Sequence, residues 1–321
     1  MMNYTQVLEQ TEQLKIGKNQ PDAITFCDGC DCNKIIYIPA SYECDAIGEL
    51  IEAILKEHKY NVGRFTTYAL KNPLGQILYN KKPISQKEFA KFGEELLIRN
   101  DSLFTKEEFL LRLALNYLKE KNADVLILPS DTGCDVKAMA EKLDLCAVSE
   151  KEKICKELAT TLILQKNIVL QEKTVERACQ KCKYEGRFEI LKKKPFYIAD
   201  GADDEKSTKL LMAKLQYHYP NNSYIFIVGM AKDSYETVVK ESAMAAQQII
   251  TITPPEAPNA IPGIELAHEF SKLNPNITNA SSIEEAVEIA SILADKDTVI
   301  AAFGTTVFLE RYRQLLLKTN K

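Results

Sequence analysis

The chain has 321 residues, enough for about two domains of one to two hundred residues each. Hydrophobic residues make up 45% and charged residues 27%, a balance that excludes a disordered chain and predicts sizeable buried cores. With 41 basic residues against 45 acidic ones the formal charge is −4, so the basic footprint that a nucleic acid backbone requires is missing and nucleic acid is not an expected partner.

No apolar run reaches the roughly 18 residues of a membrane helix, so no membrane association is expected. The opening MMNYTQVLEQTEQLK carries acidic residues where a secretory signal has an apolar segment, and the expected location is the cytoplasm. Nine cysteines, an odd number, favour thiols or a metal site over a disulfide framework. Only 12 residues are glycine, about half the roughly 7% average, which counts against any glycine-rich phosphate cradle.

In chain order, residues 4–15 read as an amphipathic start, Lys34 to Ile38 as a buried strand, and Ala46 to Glu57 as a helix with Ile47, Leu50, Ile51, Ile54 and Leu55 on one face. A second strand at Arg64 to Thr67, a short hairpin within Pro73 to Ser85 and a helix at Gln86 to Ile98 follow. Thr105, with Glu108 at the capping-box position, opens a helix that feeds the strand Asp124 to Leu128, and parallel pairing is the natural outcome. Two helices, Lys151 to Gln165 and Thr174 to Lys183, end at the break Tyr184-Glu185-Gly186, where the domain boundary is expected. Beyond Phe188, strands at 196–199, 224–228, 248–253, 276–278 and 298–302 alternate with helices at 207–217, 234–246, 264–273, 282–294 and 307–318. That alternation predicts a doubly wound α/β sheet.

Seven segments in order resemble the folylpolyglutamate and dihydrofolate synthases of the Mur ligase superfamily. Gly63-Arg64-Phe65-Thr66-Thr67 resembles the family's G-x-F-T-S, and Asn80-Lys81-Lys82-Pro83-Ile84-Ser85 its N-G-K-P-I-S. Gly186-Arg187-Phe188-Glu189 matches G-R-F-E, and Ala199-Asp200-Gly201-Ala202 the start of D-G-A-H-N-P. Residues 226–233, 253–255 and 302–305 resemble three later segments. The resemblance implies a shortened P-loop-like parallel-sheet domain, residues 1–185, followed by a Rossmann-like Mur ligase C-terminal domain, residues 186–321. It also implies ATP-driven joining of glutamate to a folate through an acyl phosphate, where the residues for that chemistry are present.

Most are replaced. The family's phosphate loop, G-T-N-G-K-G-S, falls on Ala40-Ser41-Tyr42-Glu43-Cys44-Asp45-Ala46. A phosphate cradle needs glycines for close backbone approach, a Lys for the β and γ phosphates and a hydroxyl for Mg²⁺. Here Cys44 replaces the Lys, Ala46 the hydroxyl, and Glu43 and Asp45 two glycines, so ATP and Mg²⁺ are not expected to bind in the family manner. Pro129 stands where the resemblance places a Mg²⁺-binding Glu. Thr67 aligns with the serine of F-T-S-P-H, while Tyr68 and Ala69 replace its Pro and His. The stretch after Cys134 omits a central block that holds further magnesium ligands and a modified lysine.

The resemblance gives Arg187 and Asp200 nucleotide contacts at the cleft between the domains; a carboxylate partner for Arg187 is an equal alternative. Asp203-Asp204-Glu205, in place of H-N-P, suits a helix cap before Ser207 better than an anionic substrate.

Two cysteine groups, Cys27-x-x-Cys30-x-Cys32 and Cys179-x-x-Cys182, have spacing compatible with Zn²⁺ or an iron–sulfur cluster, although local thiols without metal are the preferred reading. Cys44 at a helix start is opposed by its acidic neighbours and reads as unreactive. Glu43, Asp45, Asp131 and Asp135 offer carboxylates for a cation at strand tips. His58, His218 and His268 read as surface residues near helices.

The leading expectation is a non-catalytic relative of folylpolyglutamate synthase that binds or regulates a partner. A ligase with a rebuilt site using Arg187, Asp200 and Thr67 is one alternative, and a cysteine-based metal module is another. Loss of the central block predicts a sheet covered by a second chain, in a homo-oligomer or a complex with a protein partner.

Overall fold

The computed structural model describes residues 2–14, 34–38, 42–66, 73–98, 105–130, 148–182, 184–255, 257 and 259–318, with the backbone alone at 42–45 and 148–152. The chain divides into two compact units, Met1–Cys182 and Lys183–Lys321.

In the first unit the elements are α1 (Tyr4–Glu12), β1 (Ile35–Ile38), α2 (Tyr42–Glu57), β2 (Val62–Phe65), β3 (Ile77–Tyr79), β4 (Lys82–Pro83), α3 (Gln86–Ile98), α4 (Lys106–Glu120), β5 (Val125–Pro129), α5 (Val148–Leu164) and α6 (Glu172–Lys181). The sheet order is β1-β5-β2-β3-β4. The first three strands are parallel, and the β3–β4 hairpin is added antiparallel at one side. Asn80 and Lys81 turn that hairpin with φ of 53° and 66°, the left-handed pair that a two-residue connection demands.

Strand β5 shows why two faces are needed. Val125 and Ile127 enter one core with α2, α5 and α6, whereas Leu126 and Leu128 enter another with α1, α3 and α4. Alternation of side chains sends successive apolar residues to opposite faces, so an unbroken apolar run implies helices on both sides. The capping box read at Thr105 is present, with the Glu108 N–H donating to Thr105 Oγ1 and the Thr105 N–H to Glu108 Oε2.

The second unit contains β6 (Glu189–Lys193), β7 (Phe196–Asp200), α7 (Glu205–His218), β8 (Ser223–Gly229), α8 (Tyr235–Ser242), β9 (Gln248–Thr251), α9 (Gly263–Ser271), β10 (Ile277–Asn279), α10 (Ile283–Leu293), β11 (Thr298–Gly304) and α11 (Thr306–Lys318). The sheet order is β10-β9-β8-β11-β7-β6, parallel except for β6. Helices α7, α8 and α9 pack on one face, through Leu211, Leu215, Val238, Leu266 and Phe270. Strand β8 leads to α8 on that face. Strand β11, beside it, leads to α11, which packs under β6 and β7. This divergence makes the carboxyl ends of β7, β11 and β8 the point of the sheet where ligands of open α/β folds bind.

Two expectations are corrected. Strand β6 is missing from the alternation read in the sequence, because its residues Glu189 to Lys193 bury only Leu191 and carry a register shift at Ile190/Lys192. Charged, irregular strands of this kind terminate a sheet and carry little periodicity. Helix α2 begins at Tyr42 instead of Ala46, so Tyr42 to Asp45 already follow the helix path.

Candidate functional site

In the first unit, the carboxyl ends of the parallel strands converge on two buried hydroxyl residues. Thr66 follows β2 and Ser130 follows β5, each 3% exposed. Their backbone N–H groups donate to Gln76 O at 2.9 Å and to Ile38 O at 2.8 Å, which holds both strand ends in the sheet. Neither hydroxyl was singled out by sequence reading, which looked one position away, at Thr67 and Pro129. Thr67, Ala40 and Ser41 lie outside the described residues, and so do Cys27, Cys30 and Cys32 and the omission read after Cys134.

Behind these ends, Glu52 on α2 is fully buried and gathers two of the family-like segments. Its Oε2 accepts from Arg64 Nε at 3.1 Å and its Oε1 from the Lys81 N–H at 2.5 Å. Glu49 Oε1 stands 3.6 Å from Arg64 Nη2. Taking these charges out of water is costly, and the cost is offset only because they are matched at close range. The segments at residues 63–67 and 80–85 are thus joined by a single carboxylate. Gly48 allows the packing of α2 on β1, since a Cβ there would lie 2.8 Å from Ile38 Cδ1.

At the first turn of α2, Tyr42-Glu43-Cys44-Asp45 occupies the helix N-terminus, where a phosphate would be received by backbone N–H groups and the helix dipole. The sequence of this turn supplies two carboxylates, a thiol and a phenol, and no ammonium.

In the second unit, the segment Gly186 to Glu189 is a turn pinned from both sides. Gly186 and Phe188 have φ of 65° and 49°, and Arg187 between them is 5% exposed. The Gly186 N–H donates to Glu189 Oε2 at 2.8 Å. The Phe188 N–H donates to Asp200 Oδ2 at 2.7 Å, and the Ala202 N–H to Asp200 Oδ1 at 3.0 Å. Both oxygens of Asp200 therefore bind backbone, giving it a structural task alongside the contact role that the resemblance implied. Glu189 in turn accepts from Arg313 Nε at 2.6 Å and Nη2 at 3.1 Å. Burial opposes the charge of Arg313, but the Glu189, Glu185 and Glu310 carboxylates outweigh it and hold its pKa above the ordinary value.

The acidic run beyond Asp200 caps a helix, as its sequence suggests. The Ser207 N–H donates to Asp204 Oδ1 at 2.7 Å at the start of α7. Asp203 is exposed as a residue, yet the dry surroundings of its carboxyl, with the charges of Asp204 and Asp200, push its pKa up to about 6. Three acids around this helix start disfavour an anion there.

The neighbouring strand ends are pressed together. Gly304 has φ of 129°, a Cβ on it would fall 2.0 Å from Gly229 O, and the Thr305 N–H donates to that oxygen at 2.9 Å. Thr305 Oγ1 is buried without a hydrogen-bond partner among the described residues. Cys179 and Cys182 are half-buried against the core shared by α2, α5 and α6. Among the described residues, no three His, Cys, Asp or Glu side chains gather to hold a metal ion, and no helix is long and apolar enough to cross a membrane.

Residues 186–306 match the glutamate ligase domain of Mur ligases. No curated protein sequence matches the chain. Among solved structures, the bifunctional folylpolyglutamate synthase/dihydrofolate synthase from Yersinia pestis, complexed with AMPPNP and Mn ion, is similar over 98% of each chain. Its sequence identity is 16% and its TM-score 0.77. E. coli FolC, in complex with DHPP and ADP, is similar over 100% of this chain and 99% of its own, at 13% identity and a TM-score of 0.80. The folylpolyglutamate synthase from Thermotoga maritima is similar over 99% and 97%, at 16% identity and a TM-score of 0.75.

Proposed function

We propose that this chain, with a Mur ligase glutamate ligase domain over residues 186–306 on a folylpolyglutamate synthase fold, is a non-catalytic relative that acts by binding or regulating a partner. The observation that supports this reading is the first turn of α2. By the resemblance, Glu43 and Asp45 take the places of two loop glycines and Cys44 that of the lysine, at a helix start.

Each carboxylate at about 4 Å from a phosphate charge opposes it by about 4 kcal/mol at an effective dielectric of about 20, and each 1.4 kcal/mol is about tenfold in affinity. Even a fraction of that removes ordinary ATP affinity. The test is a thermal-shift titration with MgATP. No stabilisation at millimolar nucleotide agrees with the reading, and a saturable rise in melting temperature contradicts it.

A second reading keeps ATP-dependent ligase chemistry. The observation in its favour is the Arg187 turn, which lies within the matched glutamate ligase domain and is held by Asp200 and by Glu189, itself paired with Arg313. ADP release that depends on an amino acid acceptor supports it. A third, a metal module, draws on the cysteine spacing and is tested by metal analysis of protein purified without air or chelator; absence of Zn and Fe removes it. The partner-binding reading further expects an oligomer or hetero-complex, and light scattering that shows a monomer at micromolar concentration contradicts the homo-oligomeric form.

A further inference from the structure

We propose that His58 is a proton-operated clasp fastening helix α6 to the end of helix α2. His58 directly follows α2. Its Nδ1 lies 2.8 Å from Ile54 O, and its Nε2 lies 3.0 Å from the backbone nitrogen of Gln171, the N-cap of α6. A carbonyl oxygen only accepts and an amide N–H only donates. Nδ1 therefore carries the proton and donates to Ile54, while Nε2 offers its lone pair to the Gln171 N–H. Only the neutral imidazole with its proton on Nδ1 makes both bonds. A second proton on Nε2 sets one N–H against another and removes the acceptor.

The start of α6 rests on the core through Ile168, Leu170 and Val175, and the His58 bond is the side-chain contact at its N-cap backbone. Gln171 makes no side-chain cap, and of the helix only Thr174, Val175 and Ala178 are buried. The charges around the clasp are of both signs. Glu57, next to His58, is 2.9 Å from Lys181 of α6, and its charge is shared among Lys181, Arg177 and His58. Lys59 follows His58 in the chain, and Glu172, exposed, follows Gln171. Uptake of a proton by His58 frees the N-terminal end of α6, the helix that carries Cys179 and leads to Cys182.

Hydrogen exchange of the full chain at about pH 7.5 and about pH 5, corrected for intrinsic rates, tests this in peptides covering residues 168–178, with α4 as internal reference. The wild type is expected to lose protection there by about tenfold at the lower pH, the equivalent of one hydrogen bond. His58→Gln keeps a possible acceptor without a titrating ring and should abolish that loss. An unchanged pH response in the variant, or none in the wild type, overturns the proposal. Nitrogen NMR of the wild-type imidazole gives a test independent of any variant. A neutral ring protonated on Nε2 overturns the proposal, whereas protonation on Nδ1 with a lone pair at Nε2 supports it.

Discussion

Glu189 and Arg313, 124 residues apart in the chain, are joined by two hydrogen bonds of 2.6 and 3.1 Å, and the same carboxylate receives the Gly186 N–H. The pair links the first strand of the second unit to its last helix and fixes the turn that presents Arg187.

Glu189→Gln should therefore leave the buried Arg313 undercompensated and cost about 3 kcal/mol, since removing one partner of a buried ion pair commonly costs about 3–5 kcal/mol. The double variant Glu189→Leu with Arg313→Leu should cost less than the sum of the single changes. Urea denaturation in a double-mutant cycle measures the coupling, and additivity would show that the pair contributes nothing as a pair.

The buried carboxylate of Glu52 makes a parallel case in the first unit. Glu52→Ala strips Arg64 Nε and the Lys81 N–H of their acceptor, so a loss of about 3 kcal/mol is expected, together with faster exchange of the Lys81 amide. Wild-type exchange at Lys81 in the variant would contradict this arrangement.

Gly304 has no room for a side chain. With φ of 129° and Gly229 O at 2.0 Å from a Cβ, Gly304→Ala should destabilise the second unit by at least about 3 kcal/mol or prevent its folding. The melting temperature of the isolated change, read in the full chain, checks it. A shift of less than a degree would mean that the two strand ends separate easily.

Asp203 gives a pH dependence of definite sign. Its folded pKa of about 6 lies above the ordinary 3.8, so between those values the folded protein holds more proton than the unfolded chain. Its contribution to stability is thus greatest below about pH 4 and falls as pH rises through about 6. Asp203→Asn should flatten that part of the profile and stabilise the protein at neutral pH, by about 1 kcal/mol or less at so exposed a position. Denaturation midpoints across the range provide the comparison, and an unchanged slope in the variant would assign it to other groups.

Much of the architecture is legible in residue patterns. The apolar run Val125 to Leu128 implies a strand buried on both faces, and Thr105 with Glu108 marks a helix start that the hydrogen bonds reproduce. Strand β6 escapes because one buried residue in five has no detectable period. The site is less legible because its decisive contacts are tertiary. Nothing near Glu189 in sequence announces Arg313, and nothing at Glu52 announces both Arg64 and the Lys81 amide. Asp200 carries the opposite lesson, since the family-like segment suggested a ligand contact while its carboxylate spans two backbone N–H groups. His58, read as a surface residue, is half-buried and bonded at both nitrogens. Its fixed tautomer is invisible without the position of Gln171.

Calorimetric titration of the 321-residue chain with MgATP reads whether the first turn of α2 receives a nucleotide. The expected result is no saturable heat up to millimolar nucleotide in the wild type. A sub-millimolar dissociation constant with one nucleotide per chain would contradict the account.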